Sequence, residues 1–313
     1  MTDVKKTNAA ITYLKCLATL LIINTHISAL YPSKLSFLAF GGFFGNCFFF
    51  FCSGFCLTNV ATVFHKWYGR RFIRVYAPYL IALPTLLIAG VKINSQNLWN
   101  VVMPYETYHF IPTILALYVL FYWITKAHQH TRVKYRHFLA LSLVGFFAYF
   151  FLAFDKSQDV LAHFTVTETI PYIVMMILGG MAREGDFPKG QRILLAIAIA
   201  AFACYAVHTL RPFRGNLSFA PIAIGVAFTF GVSALLLRNE ARLPDVKLIT
   251  LISEVSLESY LVQFISREAF RHINTPACLI YHFICSIAVA YVLHVVTLYV
   301  LGRLGLYRRT RAS

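Results

Sequence analysis

The stretch AAITYLKCLATLLIINTHISAL, residues 9–30, decides the fold. At 1.5 Å per residue it is long enough to cross a hydrocarbon core of about 30 Å. Yet it holds Lys15 and His26. It is too long for a cleaved secretory signal, and no small-residue cleavage site stands out. An ionisable side chain inside a bilayer costs a few kcal/mol and marks function by default. Ten residues separate Lys15 from His26. Eleven steps of about 100° bring His26 to within roughly 20° of Lys15, and about 16 Å further along a helix. One helix face therefore carries a cation near one membrane surface and an imidazole deeper in. That layout suits a long anionic ligand whose reactive end must reach the membrane interior.

The rest of the chain extends the pattern. Of 313 residues, 59% are hydrophobic and 13% charged, against about half and a quarter in soluble domains. Mean hydropathy is +0.67. Apolar stretches fall near 9–30, 38–60, 75–91, 108–125, 138–154, 166–182, 192–209, 217–237, 248–266 and 278–302. The expectation is an all-α bundle of ten transmembrane helices, one domain over residues 1–313 with no appended soluble domain.

Placing both termini in the cytoplasm puts 20 basic residues in inner segments and seven in outer loops (Lys34, Lys92, Lys156, Arg211, Arg214, Arg267, Arg271), with Lys15 inside a span. That asymmetry in short loops supports the orientation. The formal charge of +16 is then membrane topology, and no nucleic-acid-binding module is visible.

Several groups are candidates for chemistry. His26 lies among Asn24, Thr25 and Ser28, which reads as a cavity-lining stretch, and it shares a face with Lys15. A histidine exchanges protons at neutral pH, so His26 is read as a general base for acyl transfer to a hydroxyl, ahead of a packing role. Lys15 either meets the ligand or snorkels to the headgroups. The segment HKWYGRRFIRVYAPY, residues 65–79, sets Arg71 and Arg74 three apart with Arg70 beside them. Paired guanidinium donors suit phosphates, and an anionic-lipid anchor is the competing reading. The cluster borders the same leaflet as Lys15, which points to a shared polyphosphate ligand.

Further along, SEVSLESYLVQF (253–264) places Glu254 and Glu258 four apart, near Ser256, Tyr260 and Gln263. Glu258 would orient His26, pair with Lys15, or serve an arginine as a structural partner, with the balance towards the last. Glu106, His109, Arg267 and Arg271 are expected on the outer side as solvated loop residues, and only acceptor binding would give them a further role. The glycines of FGGFFGNCFFFFCSGF (40–55) permit close helix approach, and its phenylalanines read as packing. Ser53 lacks the G-x-S-x-G elbow of a nucleophile. Cys52 and Cys56 read as packing residues, not half a metal site, and the seven cysteines suggest no disulfide framework.

These motifs resemble the integral-membrane acyltransferase 3 family. Lys15 and His26 match its basic residue, ten positions and histidine; Arg71 and Arg74 match its R-x-x-R. FFFFCSGF, HFIPTILALY and SLESYLVQF are similar to its second-, fourth- and late-helix patterns, in order along essentially the whole chain. Thr12 stands where many members carry aspartate, His109 at a common tryptophan position, and Gln263 where many carry histidine. The resemblance implies transfer of an acyl group, usually acetyl, from a cytoplasmic thioester to a carbohydrate hydroxyl at a bacterial cytoplasmic membrane. It implies that Arg71, Arg74, Lys15 and Arg70 hold the phosphates of acetyl-CoA. His26, with Glu258, would carry the chemistry, and His109, Tyr260 and Gln263 would meet the carbohydrate acceptor. No metal is implied. A transporter or flippase of a glycan or small metabolite is the competing class.

Overall fold

A computed structural model describes residues 8–32, 35, 38–90, 101–102, 108–131, 133–154, 166–186, 190–210, 219–270 and 277–306. Among these residues there are helices and no strands. In chain order they are α1 (Ala9–Thr25), α2 (Gly42–Cys56), α3 (Phe64–Ile88), α4 (Phe110–Thr131), α5 (Tyr135–Leu152), α6 (Val166–Arg183), α7 (Gln191–Leu210), α8 (Ala220–Arg238), α9 (Lys247–Glu254), α10 (Ser256–Phe270) and α11 (Ala277–Arg303).

Each of the ten apolar stretches thus contains a helix, and the ninth contains two. Among the described residues five helices, α3, α4, α5, α8 and α11, are long and apolar enough to cross a membrane. The pair α9 and α10, bent by 80° at Val255, makes up to a sixth span. The apolar stretches described in α1, α2, α6 and α7 are shorter, at Ala9–Thr25, Gly42–Cys56, Thr169–Arg183 and Leu194–Cys204. α1, at 17 residues, spans about 25 Å.

Two boundaries differ from expectation. α3 begins at Phe64 rather than near residue 75, so the arginine cluster lies on a continuous helix and not at a loop's mouth. Residues 253–264 do not form one helix, because α9 ends at Glu254 and α10 starts at Ser256. Glu254 and Glu258 therefore belong to different helices.

The chain divides into two compact units: Met1–Gly42, Arg70–Ile111 and Leu243–Ser313 in one, Phe43–Gly69 and Pro112–Arg242 in the other. In the second, the phenylalanines of α2 pack as expected: Phe44, Phe48, Phe50 and Phe51 are fully buried, and Phe50 stacks on Tyr172 at 4.6 Å. Gly54 and Gly179 let α2 and α6 touch backbone to backbone. A Cβ on Gly54 would lie 1.9 Å from the Met176 carbonyl oxygen, and one on Gly179 2.1 Å from that of Phe51. Phe146, Phe150, Phe154 and Ile222 form a further aromatic core in the same unit. Cys52 is buried and Cys56 exposed, and neither is in a disulfide.

The first unit is held by α1 against α9 and α10, and by α10 against α11. Asn8 starts α1 by accepting the Ile11 N–H at 3.0 Å on its side chain. Tyr13 ties the same helix to the Pro244 carbonyl at 2.9 Å. α10 and α11 run antiparallel in a fixed register: Glu258 meets His294 and, eight residues on, Ser266 meets Ser286.

Candidate functional site

His26 is the C-cap of α1, its N–H bonded back to the Ile22 and Ile23 carbonyls. The helix therefore carries the eleven-step spacing from Lys15 as far as His26. The polar stretch around it has another use than lining a cavity. Asn24 donates to the Leu38 and Phe40 carbonyls at 2.7 and 3.0 Å and accepts from the Tyr31 hydroxyl at 2.6 Å. Thr25 bonds the Leu21 carbonyl, and Ser28 is exposed. Asn24 is a clamp for the loop that follows, and the polar company of His26 comes from other helices.

That company is on α10. Tyr260, Gln263, Phe264 and Arg267 recur at the three- and four-residue spacing of one helix stripe. The Phe264 ring meets the His26 ring edge-on at 5.1 Å. Arg267 lays its guanidinium over the Phe264 ring itself, 4.8 Å from its centroid, and pairs with Glu268 at 3.0 Å. Tyr108 packs edge-on against both Phe264 and Tyr260, at 5.5 and 5.8 Å, and donates to the Leu261 carbonyl at 2.8 Å.

Three further groups act on His26. Arg267 and His282 lie within its electrostatic reach, and so does His109. His282, fully buried on α11, approaches Ser286 at 3.4 Å, and Ser286 bonds Ser266 across the helix pair at 2.5 Å. The serine pair is polar glue between helices. His26 itself is half-buried, and its ring nitrogens make no hydrogen bond among the described residues. An imidazole so placed is free to accept a proton from a ligand, with a guanidinium nearby to meet developing negative charge.

Two expectations need correction. His109 is not a solvated loop residue; it is 8% exposed and belongs to this cluster. Arg267 is not in a loop either. It stands on α10, half-buried, and lies within electrostatic reach of His26. Glu106 and Arg271 lie outside the described residues, as do Lys34, Lys92, Lys156, Arg211 and Arg214.

A second cluster forms nearer the start of α10. Glu258, 5% exposed in its first turn, bonds His294 of α11 at 2.8 Å. A carboxylate there also complements the helix N-terminus. Its partner is thus a histidine, and not Lys15, His26 or an arginine. Arg74 and Glu254 both lie within electrostatic reach of His294. Arg70 and Arg74 are exposed and Arg71 half-buried, on successive turns of α3. Lys15 is half-buried on α1, the helix that packs against α9 and α10.

From Glu258 to Arg267 is nine residues of α10, about 13 Å of rise. One cluster therefore combines Arg74, Glu254, Glu258 and His294. The other, further along the same helix, combines His26, His109, Arg267, His282 and the stripe from Tyr260. The sequence reading missed His282 and His294. Both lie in the last apolar stretch, and the rule that singled out His26 applies equally to them. Among the described residues no group of three or more His, Cys, Asp or Glu is arranged to hold a metal ion.

The family model described as an acyltransferase domain matches residues 8–303, nearly the whole chain. No curated protein and no solved structure matches. A match of that extent, over a helical chain with membrane-length apolar helices, settles the class: the chain belongs to the acyltransferase 3 family and is a membrane acyltransferase.

Proposed function

We propose that this protein transfers an acetyl group from cytoplasmic acetyl-CoA to a hydroxyl of a cell-surface polysaccharide or its lipid-linked precursor. It does so in a bacterial cytoplasmic membrane, with ten spans and both termini inside. The observation that carries the reading is His26: an imidazole whose nitrogens have no hydrogen-bond partner among the described residues, within electrostatic reach of Arg267, on the helix face that begins with Lys15. Arg71, Arg74, Lys15 and Arg70 hold the donor's phosphates through charge and paired N–H donors. The pantetheine arm runs along α1 towards His26.

His26 takes the proton of the acceptor hydroxyl as that oxygen attacks the thioester carbonyl. Negative charge grows on the carbonyl oxygen, and the Arg267 guanidinium favours it. The C–S bond then breaks, the ester is formed, and the departing thiolate takes the proton from His26. Tyr260 and His109 wall the acceptor side. Glu258 keeps to His294 and positions α10 against α11.

The broken pair α9 and α10 is a feature that transport proteins also use, but it has no matched second break among the described residues. The test is direct. Purified protein in detergent is given acetyl-CoA with and without a deacylated surface glycan, and free thiol and ester are measured together. Acceptor-dependent thiol release with an equal yield of ester is expected. Folded protein that releases no thiol, or releases it without ester, contradicts the proposal.

A further inference from the structure

Gln263 has polar capacity that the reaction as described does not use. Its side chain is fully buried, and neither Nε2 nor Oε1 has a hydrogen-bond partner among the described residues. A buried donor and acceptor left unpaired carry a desolvation penalty that an apolar side chain of similar size avoids. Local structure does not account for it. Ser266 donates to the Gln263 backbone carbonyl at 3.0 Å, which leaves the carboxamide out. Such a group suits a ligand that offers an acceptor and a donor close together.

Its place in the fold says which part of a ligand that is. Gln263 directly precedes Phe264, whose ring meets His26 at 5.1 Å, and is one helical turn before Arg267. On the wheel of α10 it lies between the side that faces His26 and the side that carries Ser266 towards α11. A carboxamide here shares the stretch of α10 that meets His26, where the proposed reaction would take place. In an acyl-CoA the thioester carbonyl and the first amide N–H of the pantetheine arm are joined through sulfur and two methylene groups. A bend at those methylenes turns both to one side.

We propose that Gln263 bridges these two groups, Nε2 donating to the thioester carbonyl oxygen and Oε1 accepting from the first pantetheine amide N–H. The first contact strengthens as charge develops on that oxygen, and the second holds the carbonyl in line with His26. This assignment rests on the acyl-CoA reading above and names a catalytic residue for it.

The test uses Gln263→Leu in the full-length protein and three donors: acetyl-CoA, the acetyl thioester of N-acetylcysteamine, and S-pentyl thioacetate, its counterpart without the amide. Wild type is expected to prefer the amide-bearing short thioester. In Gln263→Leu that preference disappears, turnover of acetyl-CoA falls about 10²–10³-fold as for loss of an oxyanion donor, and the melting temperature does not drop. An unchanged preference, or wild-type turnover of acetyl-CoA where the short thioesters are too poor to compare, overturns the assignment. A loss of stability matching the loss of rate overturns it too, since that is a packing role. A wild-type protein that uses none of the three donors refutes the acyl-CoA reading itself. A Gln263→Leu enzyme that matches a working wild type refutes only the role given to Gln263.

Discussion

Replacing Glu258 with glutamine keeps the shape of the side chain and removes the charge that meets His294 at 2.8 Å. The Glu258 side chain is 7% exposed and that of His294 24%, so the pair is mostly shielded from water on the carboxylate side. Truncating one partner of a fully buried pair costs about 3–5 kcal/mol. Here glutamine retains a hydrogen-bonding oxygen and His294 keeps some access to water, which brings the expected loss to about 1–3 kcal/mol. A double-mutant cycle of Glu258→Gln, His294→Gln and the double variant isolates the pair term, read from reversible unfolding in detergent. The two residues share one interaction, so the cycle should show coupling of about 1–2 kcal/mol. Acyl transfer by Glu258→Gln should stay within about tenfold of wild type, because the residue holds α10 to α11 and touches no reacting atom. Additive single losses would refute the pairing. A fully stable Glu258→Gln enzyme that has lost catalysis would refute the structural role and make Glu258 a chemical participant.

Other outcomes follow from the same structure. Arg71→Ala or Arg74→Ala should weaken coenzyme A binding, measured by calorimetry, and lysine should restore part of it because charge returns without the paired donors; unchanged affinity in both alanine variants returns the cluster to a lipid anchor. A reporter fused at Ser313 should signal from the cytoplasm, as the 20-to-7 basic asymmetry requires; an external signal puts the arginines on the wrong side for their donor. Gly54→Ala forces a methyl against the Met176 backbone, 1.9 Å from its carbonyl oxygen, so α2 and α6 must part. The expected cost is about 1–3 kcal/mol in thermal or denaturant unfolding, and an unaltered melting temperature would show that the two helices separate more easily than their packing indicates.

The all-helical fold was legible because a bilayer leaves the backbone few choices, and the apolar stretches mark where helices form. Gly54 was legible for the same reason: small residues are where helices approach. The break at Val255 was not. SEVSLESYLVQF contains no glycine or proline, and nothing local announces a bend of 80°. The early start of α3 was hidden because HKWYGRRFIR is polar and hydropathy counts it as loop, although it forms helix well. His26, Lys15 and the arginines could be picked out from spacing alone. What surrounds His26 could not, since His109, Arg267 and His282 reach it from three separate parts of the chain. Asn24 shows the opposite error, a polar neighbour in sequence that turned out to be committed to the loop at Leu38 and Phe40. Tertiary partners are not encoded in the register of any single helix.

The central claim is that His26 moves the proton. His26→Gln keeps a hydrogen-bonding side chain at the C-cap of α1 but cannot accept the proton of a hydroxyl. Donor binding and acetyl transfer should be measured on the same folded preparation. The account predicts coenzyme A affinity close to wild type and transfer reduced by about 10²–10⁴. Transfer at near wild-type rate in His26→Gln would contradict it, and would leave this histidine a packing partner of Phe264.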